Sequence, residues 1–396
     1  MSTNNSKFIL SNIIVIYLSR FFVFLIIGFL DWYLCLLIME HYGAAGIAII
    51  YSISRIVDAL MFASGLIADT VEAKKISIII PLVSLVLISP LCFPLNWSTL
   101  LLASIGVRLL GIESPAMFSL LIKSVNKKEL LGKIVSISRL TISVSLTVSS
   151  ILFPLILKLY GLKIVVIIML SLLIICAFLR TALTETLSKK EDSRINVFKQ
   201  IASLFRKNIF FFYKAFISMK IFVLIVILYS FINLVVNPFK AYYFANVLGI
   251  DIVFIGMLYS AIELSEIFLQ IPVGFIVDKI GEKKVFLTCF TVGVFLMTIF
   301  LFIGTLNPLL GLLIFALNEI LSPLYYISYS SYIGKKCPRN ILGSFYGGMS
   351  SLMGFLMIIT PIIGASLWSY NPSHYIHSLC LRQSSACITN IKIEII

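Results

Sequence analysis

Apolar runs of about twenty residues, separated by short polar turns, fill most of this chain. They fall at 18–39, 44–67, 76–95, 98–122, 134–157, 163–180, 221–244, 252–277, 285–304, 309–331 and 341–368. Each is long enough to cross a hydrocarbon core of about 30 Å at about 1.5 Å per residue. The pattern predicts an all-α membrane protein with 11 clear spans. One extended polar stretch, 181–220, separates the sixth run from the seventh. Its part from Ile195 to Phe216 mixes aromatics with bases, which suits either helices along a membrane surface or a connector held near anionic lipid.

Composition agrees. Hydrophobic residues make up 60% of the chain and charged residues 12%, against roughly 45–50% and 25% in soluble domains. The net charge of +14 could suggest nucleic acid, but its placement decides otherwise. With the N-terminus inside, 24 of the 31 Lys and Arg lie in cytoplasmic loops and helix ends, with Lys158, Lys163 and Lys240 outside. That bias is the positive-inside rule, so an N-terminus in the cytoplasm is expected and a nucleic-acid partner is not. No cleavable signal peptide is expected, since Met1 to Lys7 is polar and no small-residue cleavage site follows. The seven cysteines show no C-x-x-C spacing, and no phosphate-binding G-x-x-x-x-G-K-[ST] loop occurs. Neither a cofactor nor an enzyme activity is expected.

Two turns repeat. Gly65, Asp69 and Lys74 after the second run are echoed by Gly274, Asp278, Lys279, Gly281, Lys283 and Lys284 after the eighth, 209 residues on. Ser114 and Pro115 recur as Ser322 and Pro323, at an offset of 208. A near-constant offset signals duplication of one helical unit. The expected organisation is a six-helix half at 1–180, a cytoplasmic linker at 181–220, a second half at 221–373 and a divergent tail at 374–396. The twelfth span that two equal halves need is missing or divergent, because Arg382, Lys392 and Glu394 interrupt the tail. His374, His377 and Cys380 share a helical spacing there, but an irregular tail yields such triples by chance, so no metal is expected.

The repeated turn resembles the signature loop of the major facilitator superfamily. The second copy matches closely, whereas the first has Thr70, Glu72 and Ala73 where a base, a glycine and a base are usual. Ser19, Arg20 and Phe21, then Arg108, Gly111 and Pro115, then Asn126 to Gly132, resemble the exporter branch of macrolide, siderophore and microcin efflux proteins. Val148 to Pro154 holds no glycine where that branch's antiporters have a glycine-rich motif. The resemblance implies a secondary transporter, a monomer in the plasma membrane or the inner membrane of a Gram-negative cell. It would export an amphipathic small molecule or peptide antibiotic by proton antiport, giving resistance or self-immunity. A non-transporting or decayed protein of the same fold and an importer of a small solute are the alternatives. The loop glycines would allow close packing, and Asp69 and Asp278 could cap a helix of the opposite half, as gates or as well-formed turns.

Eight ionisable residues fall inside the runs: Asp31, Arg55, Asp58, Arg108, Glu113, Glu263, Glu266 and Glu319. Each costs at least about 2.5–3.5 kcal/mol to insert, so each should face a cavity or a partner. Asp31 lies 11 residues from Arg20, and Arg108 lies 11 from Trp97 at the other edge, so both sit near mid-depth. Spans one, four, seven and ten line the central cavity in the family, which allows an Asp31–Arg108 pair. Glu319 stands almost opposite Arg108 by the repeat and has no base in its own span, so its carboxyl should keep a proton and could couple transport to protons. Arg55 and Asp58, three apart, can pair, either as a structural clip or in transport. Glu263 and Glu266 repeat that spacing with like charges, so one of them should hold a proton. Acids in the spans outnumber bases six to two, which favours a cationic or proton-exchangeable substrate. Asp31, Glu319, Glu263 and Glu266 are the coupling candidates. Aromatics of spans seven and ten (Phe231, Phe239, Tyr242, Tyr243, Tyr325 and Tyr326) could line the path or merely pack.

Overall fold

The computed structural model describes residues 2–59, 73–112, 131–183, 226–227, 230–231, 234–235, 237–303, 308–321, 323–325, 327–328, 332 and 342–370. Eleven helices follow the expected spans in order, and no strand occurs among the described residues. They are α1 Ser2–Gly46, α2 Ser52–Ala59, α3 Ala73–Ile88, α4 Trp97–Ile112, α5 Leu131–Tyr160 and α6 Leu162–Thr181. The second set is α7 Lys240–Tyr242, α8 Ile252–Ile280, α9 Glu282–Ile303, α10 Pro308–Ile320 and α11 Leu342–Tyr370. Five stretches are apolar and long enough to cross a membrane alone: Asn12–Asp58, Leu140–Tyr160, Leu162–Thr181, Ile252–Leu269 and Leu352–Ser369. The expected linker beyond Leu183 and the tail from 371 onward lie outside the described residues, as do Gly65, Asp69 and Glu113.

Local chemistry sets the helix ends. Asn96 and Thr99 cap α4 reciprocally, the Thr99 N–H donating to Asn96 Oδ1 at 2.9 Å and the Asn96 N–H to Thr99 Oγ1 at 2.8 Å. Asp251 caps α8 by accepting the Val253 N–H at 2.8 Å. Spans one and two meet at the exposed polar pair Glu40 and His41 without leaving helical structure; the chain turns at Gly43, with φ of 63°, and winds through a π turn at Ile47–Tyr51 into α2. Gly281 of the second signature loop has φ of 95° and ends α8, leaving Glu282 to open α9 with an acid in its first turn. That left-handed backbone strains any residue with a Cβ, which explains the glycine at this place in the motif.

The apolar core follows α1, where Val23, Ile26, Phe29, Leu30, Leu34 and Ile38 are buried. Serine hydroxyls tie α5 to it. Ser145 Oγ donates to the Phe21 carbonyl at 2.5 Å, and Ser149 Oγ to the Leu25 carbonyl at 2.6 Å. Both partners are four residues apart, so one turn of each helix is bonded to one turn of the other. Arg180, fully buried at the end of α6, donates from Nη1 to the Ser77 carbonyl of α3 at 2.6 Å. Apolar side chains also cover the outside, among them Ile79, Val86, Ile174, Phe178, Phe268 and Phe275, as a surface facing lipid requires.

The first six helices meet the last five chiefly through α5 on α8 and α2 on α11. Moving six helices along the chain turns α2 into α8 and α5 into α11, so each contact is the image of the other under the repeat. At the first crossing Gly256 of α8 lies so close to α5 that a Cβ would overlap the Ser150 carbonyl oxygen and reach Pro154 Cγ at 2.7 Å. Beyond it, Lys158 Nζ of α5 donates to Asp251 Oδ2 at 2.9 Å. Lys158, then the Val253 N–H, hold the Asp251 carboxyl below the usual carboxylate range. The link therefore persists above the ordinary aspartate pKa and is lost only as pH falls through the lowered value. With side chains 58% and 41% exposed, it is a screened surface contact whose contribution is small.

Candidate functional site

Tyr51, Arg55 and Asp58 follow one another at helical intervals of four and three, so the π turn and α2 place them on one face. Arg55 Nη1 donates to Asp58 Oδ2 at 2.8 Å, and its Nη2 donates to the Tyr51 hydroxyl. Arg108 of α4 reaches the same hydroxyl at 3.2 Å, and its Nη2 donates to Asp31 Oδ1 of α1. The Tyr51 ring thus lies against both guanidinium groups, with centres 4.4 Å and 5.2 Å from its centroid. Arg55 Nη2 is 3.9 Å from Asp31 Oδ1, so two acids and two arginines form one balanced network. Arg55 Nη1 also meets Met357 Sδ of α11 at 3.6 Å, which carries the network to the contact between the halves.

The second half holds a corresponding pair. Lys240 Nζ of α7 donates to Glu319 Oε1 of α10 at 2.8 Å and sits 4.8 Å from the centroid of Phe315, one turn before Glu319. This corrects two expectations. Lys240 is not an outer-surface base but is buried, because helical structure continues through a second π turn at Tyr243–Val247 and carries the span end past it. Glu319, which has no base in its own span, finds one in Lys240 of α7, and the acids in the spans outnumber the bases by six to three.

Lys240 lies 209 residues after Asp31, and Glu319 lies 211 after Arg108. The duplication therefore relates the two pairs, with polarity reversed: acid on α1 and base on α4, base on α7 and acid on α10. In both pairs the acid faces open space and the base is tucked away. Asp31 and Glu319 are 34% and 25% exposed, against 10% and 9% for Arg108 and Lys240.

Glu263 and Glu266 of α8 are half-buried, and the charges of Glu266 and Glu319 both act on Glu263. Four residues before Glu263, Tyr259 stacks on Trp32 of α1, with ring centroids 5.6 Å apart and planes 22° apart. Phe239 and Tyr242 pack on Trp368 of α11, at 5.2 Å and 6.1 Å, so these two aromatics serve helix packing. Lys279, Lys283 and Lys284 are exposed around the Gly281 turn, and the Lys74 carbonyl accepts the Ser77 hydroxyl at 2.7 Å. Gly274 and Asp278 fall within α8 by backbone, and the Asp278 side chain lies outside the described residues. Sequence reasoning did not single out Tyr51, Trp32 or Tyr259. The spacing of Tyr51 to Arg55 and the offset of Lys240 from Asp31 were the available signals.

The geometry is that of a polytopic helical bundle with one partly buried ion pair in each of its two repeated halves. Over residues 9–361 the sequence matches the Major Facilitator Superfamily, and the chain belongs to that family. Among curated proteins none matches. Solved structures with the same fold include the nucleoside transporter NupG, at 16% identity and a TM-score of 0.70, covering 96% of this chain and 96% of that one. A D-xylose-proton symporter is similar at 12% identity and a TM-score of 0.70, with 96% and 97% covered. PepTSo2, crystallised as a tetramer, is similar at 12% identity and a TM-score of 0.67, with 99% and 98% covered. At such identities the likeness establishes the fold alone, and it is the family match that makes the chain a multi-pass membrane transporter.

Proposed function

We propose that this protein exports an amphipathic small molecule or peptide antibiotic from the cytoplasm in exchange for protons, with its N-terminus in the cytoplasm. The observation that carries the reading is the pair of repeat-related ion pairs, each with its acid partly exposed and its base hidden. A proton reaching Asp31 or Glu319 neutralises the acid and releases the buried base from its partner. The pairing energy inside each half then depends on protonation, as coupling to a gradient requires. The positive-inside bias assigns the Lys158–Asp251 link and the Gly256 crossing to the outer side, where the close packing at Gly256 holds the halves together and the ion pair adds little. By the same bias we assign the two signature motifs, with Asp69 and Asp278, to the inner side as the opposing gate. Protons, membrane lipids and the substrate are the partners, and a monomer suffices.

In cells lacking their own pumps, expression should raise resistance to at least one of a panel of macrolides, siderophores and peptide antibiotics. Everted vesicles should accumulate the same compound when their interior is acidified. Glu319→Gln, which fixes the acid in its neutral form, should bind that compound yet release no proton and build no gradient of it. Normal pH-driven accumulation in that variant would remove Glu319 from coupling. An importer of a small solute is the second reading, and the likeness to a D-xylose-proton symporter favours it. Uptake by intact cells under an inward proton gradient, without any resistance, would establish it over export.

Orientation is testable on its own. Reporter fusions at Ser373 and Ile396 should both read as external, with the N-terminus internal. A cytoplasmic signal at Ile396 would show that the tail crosses the membrane.

A further inference from the structure

We propose that Glu263 and the stacked rings of Tyr259 and Trp32 form a subsite for an organic cation, so that the transported molecule carries a lipophilic cationic group beside an aromatic or apolar body. The inference rests on the transport reading above and names the chemistry of the substrate.

Tyr259 and Glu263 are four residues apart on α8 and therefore neighbours on one face. Trp32 brings a wall from the other half, its ring stacked on Tyr259 at 5.6 Å. Aromatic faces carry negative potential, so such a wall attracts a cation placed against it. Asp31, Asp58 and Glu319 each have a base at hand, but among the described residues none pairs with Glu263. Lys240 does not neutralise it, being held by Glu319 and the Phe315 ring. Glu266 and Glu319 add further acidic groups close to it. A half-buried carboxylate in such surroundings needs a proton or a cation.

A second observation points to a ligand. Trp32 is only 9% exposed, and its Nε1 is buried with no hydrogen-bond partner. A buried indole N–H without an acceptor is disfavoured, and an acceptor on a bound molecule would satisfy it. The class that fits carries a cationic centre for Glu263, a face for the rings and an oxygen acceptor for Trp32. Charge balance then links binding to protons: as the cation binds, the Glu263 carboxyl proton passes to water, and the charge of the subsite stays constant.

The test uses the purified full chain in detergent with two probes of matched size and apolar surface, tetraphenylphosphonium and tetraphenylborate. The phosphonium should bind at least tenfold more tightly than the borate and release protons into weakly buffered solution. Glu263→Gln should weaken phosphonium binding at least tenfold and abolish the proton release, whereas Glu263→Asp should keep most of both. Trp32→Leu should weaken binding several-fold. No phosphonium binding by the unaltered chain, equal binding of the borate, or unchanged affinity in Glu263→Gln would each overturn the subsite. The probe comparison on the unaltered chain decides even where a variant fails to fold. Because no gradient is present, phosphonium binding without pH-driven transport would count against export alone. Export confined to neutral or anionic compounds would count against the subsite alone.

Discussion

Arg108→Ala is expected to abolish transport and to lower the yield of folded protein in the membrane sharply. Arg108 donates to both Asp31 and the Tyr51 hydroxyl, and its side chain is only 10% exposed. Asp31 is partly exposed and keeps Arg55 at 3.9 Å, so the loss falls below the about 3–5 kcal/mol of breaking a fully buried pair. Asp31→Asn should do similar harm from the other side. The double variant Asp31→Asn with Arg108→Ala should lose less stability than the two single losses added together, since both charges of the pair are removed at once. Arg55, 3.9 Å from Asp31, limits the damage of Arg108→Ala by offering a second cation, so Arg55→Met on top of it should remove the residual folding. Thermal melting of the purified variants and transport at matched membrane levels read both effects. Strict additivity of the two single changes would show that Asp31 and Arg108 do not act as a unit.

Gly256→Leu is expected to hold the α5–α8 seam apart and stop the transport cycle while leaving insertion intact. Even one Cβ at this position overlaps the Ser150 carbonyl oxygen, and a backbone atom cannot swing aside as a side chain would. Overpacking of this kind costs about 1–3 kcal/mol. Set against the closed state alone, that shifts the balance of open and closed forms by roughly 5- to 150-fold. Spin labels at the exposed Leu159 and Phe254 should report a longer, broader distance in the variant than in the parent. Gly256→Ala should lie between the two. Unchanged distances together with full transport in Gly256→Leu would show that this crossing does not move.

Much of the architecture was legible because a span needs only length and apolarity, which a sequence carries openly. The Asp31–Arg108 contact was within reach of counting residues from opposite edges, since depth along a helix is a linear quantity. Lys240 was misread for the same reason: counting from an assumed span end fails when helical structure runs past it as a π turn through Val247. Tyr51 was passed over because an uncharged side chain gives no alarm inside a membrane, although two guanidinium groups converge on it. The Trp32–Tyr259 stack joins residues 227 positions apart, and nothing local in either helix marks the other as its partner. Polarity reversal between the two halves was also written in the chain, but it becomes visible only once the Lys240–Glu319 pair is seen.

The two repeat-related ion pairs also bear on how the chain is made. Asp31 finds its counter-charge 77 residues later, and Lys240 finds its own 79 residues later. At a synthesis rate of about 5–20 residues per second, each charge waits roughly 4–15 s beside the insertion machinery before its partner emerges. Neither wait extends across the middle of the chain. The first pair can close before residue 240 has been translated, so α1–α6 can leave the ribosome's side with Asp31 already neutralised. Pairing within each half thus gives each newly inserted half its own neutral pair, and biogenesis can proceed as two separate insertions followed by docking.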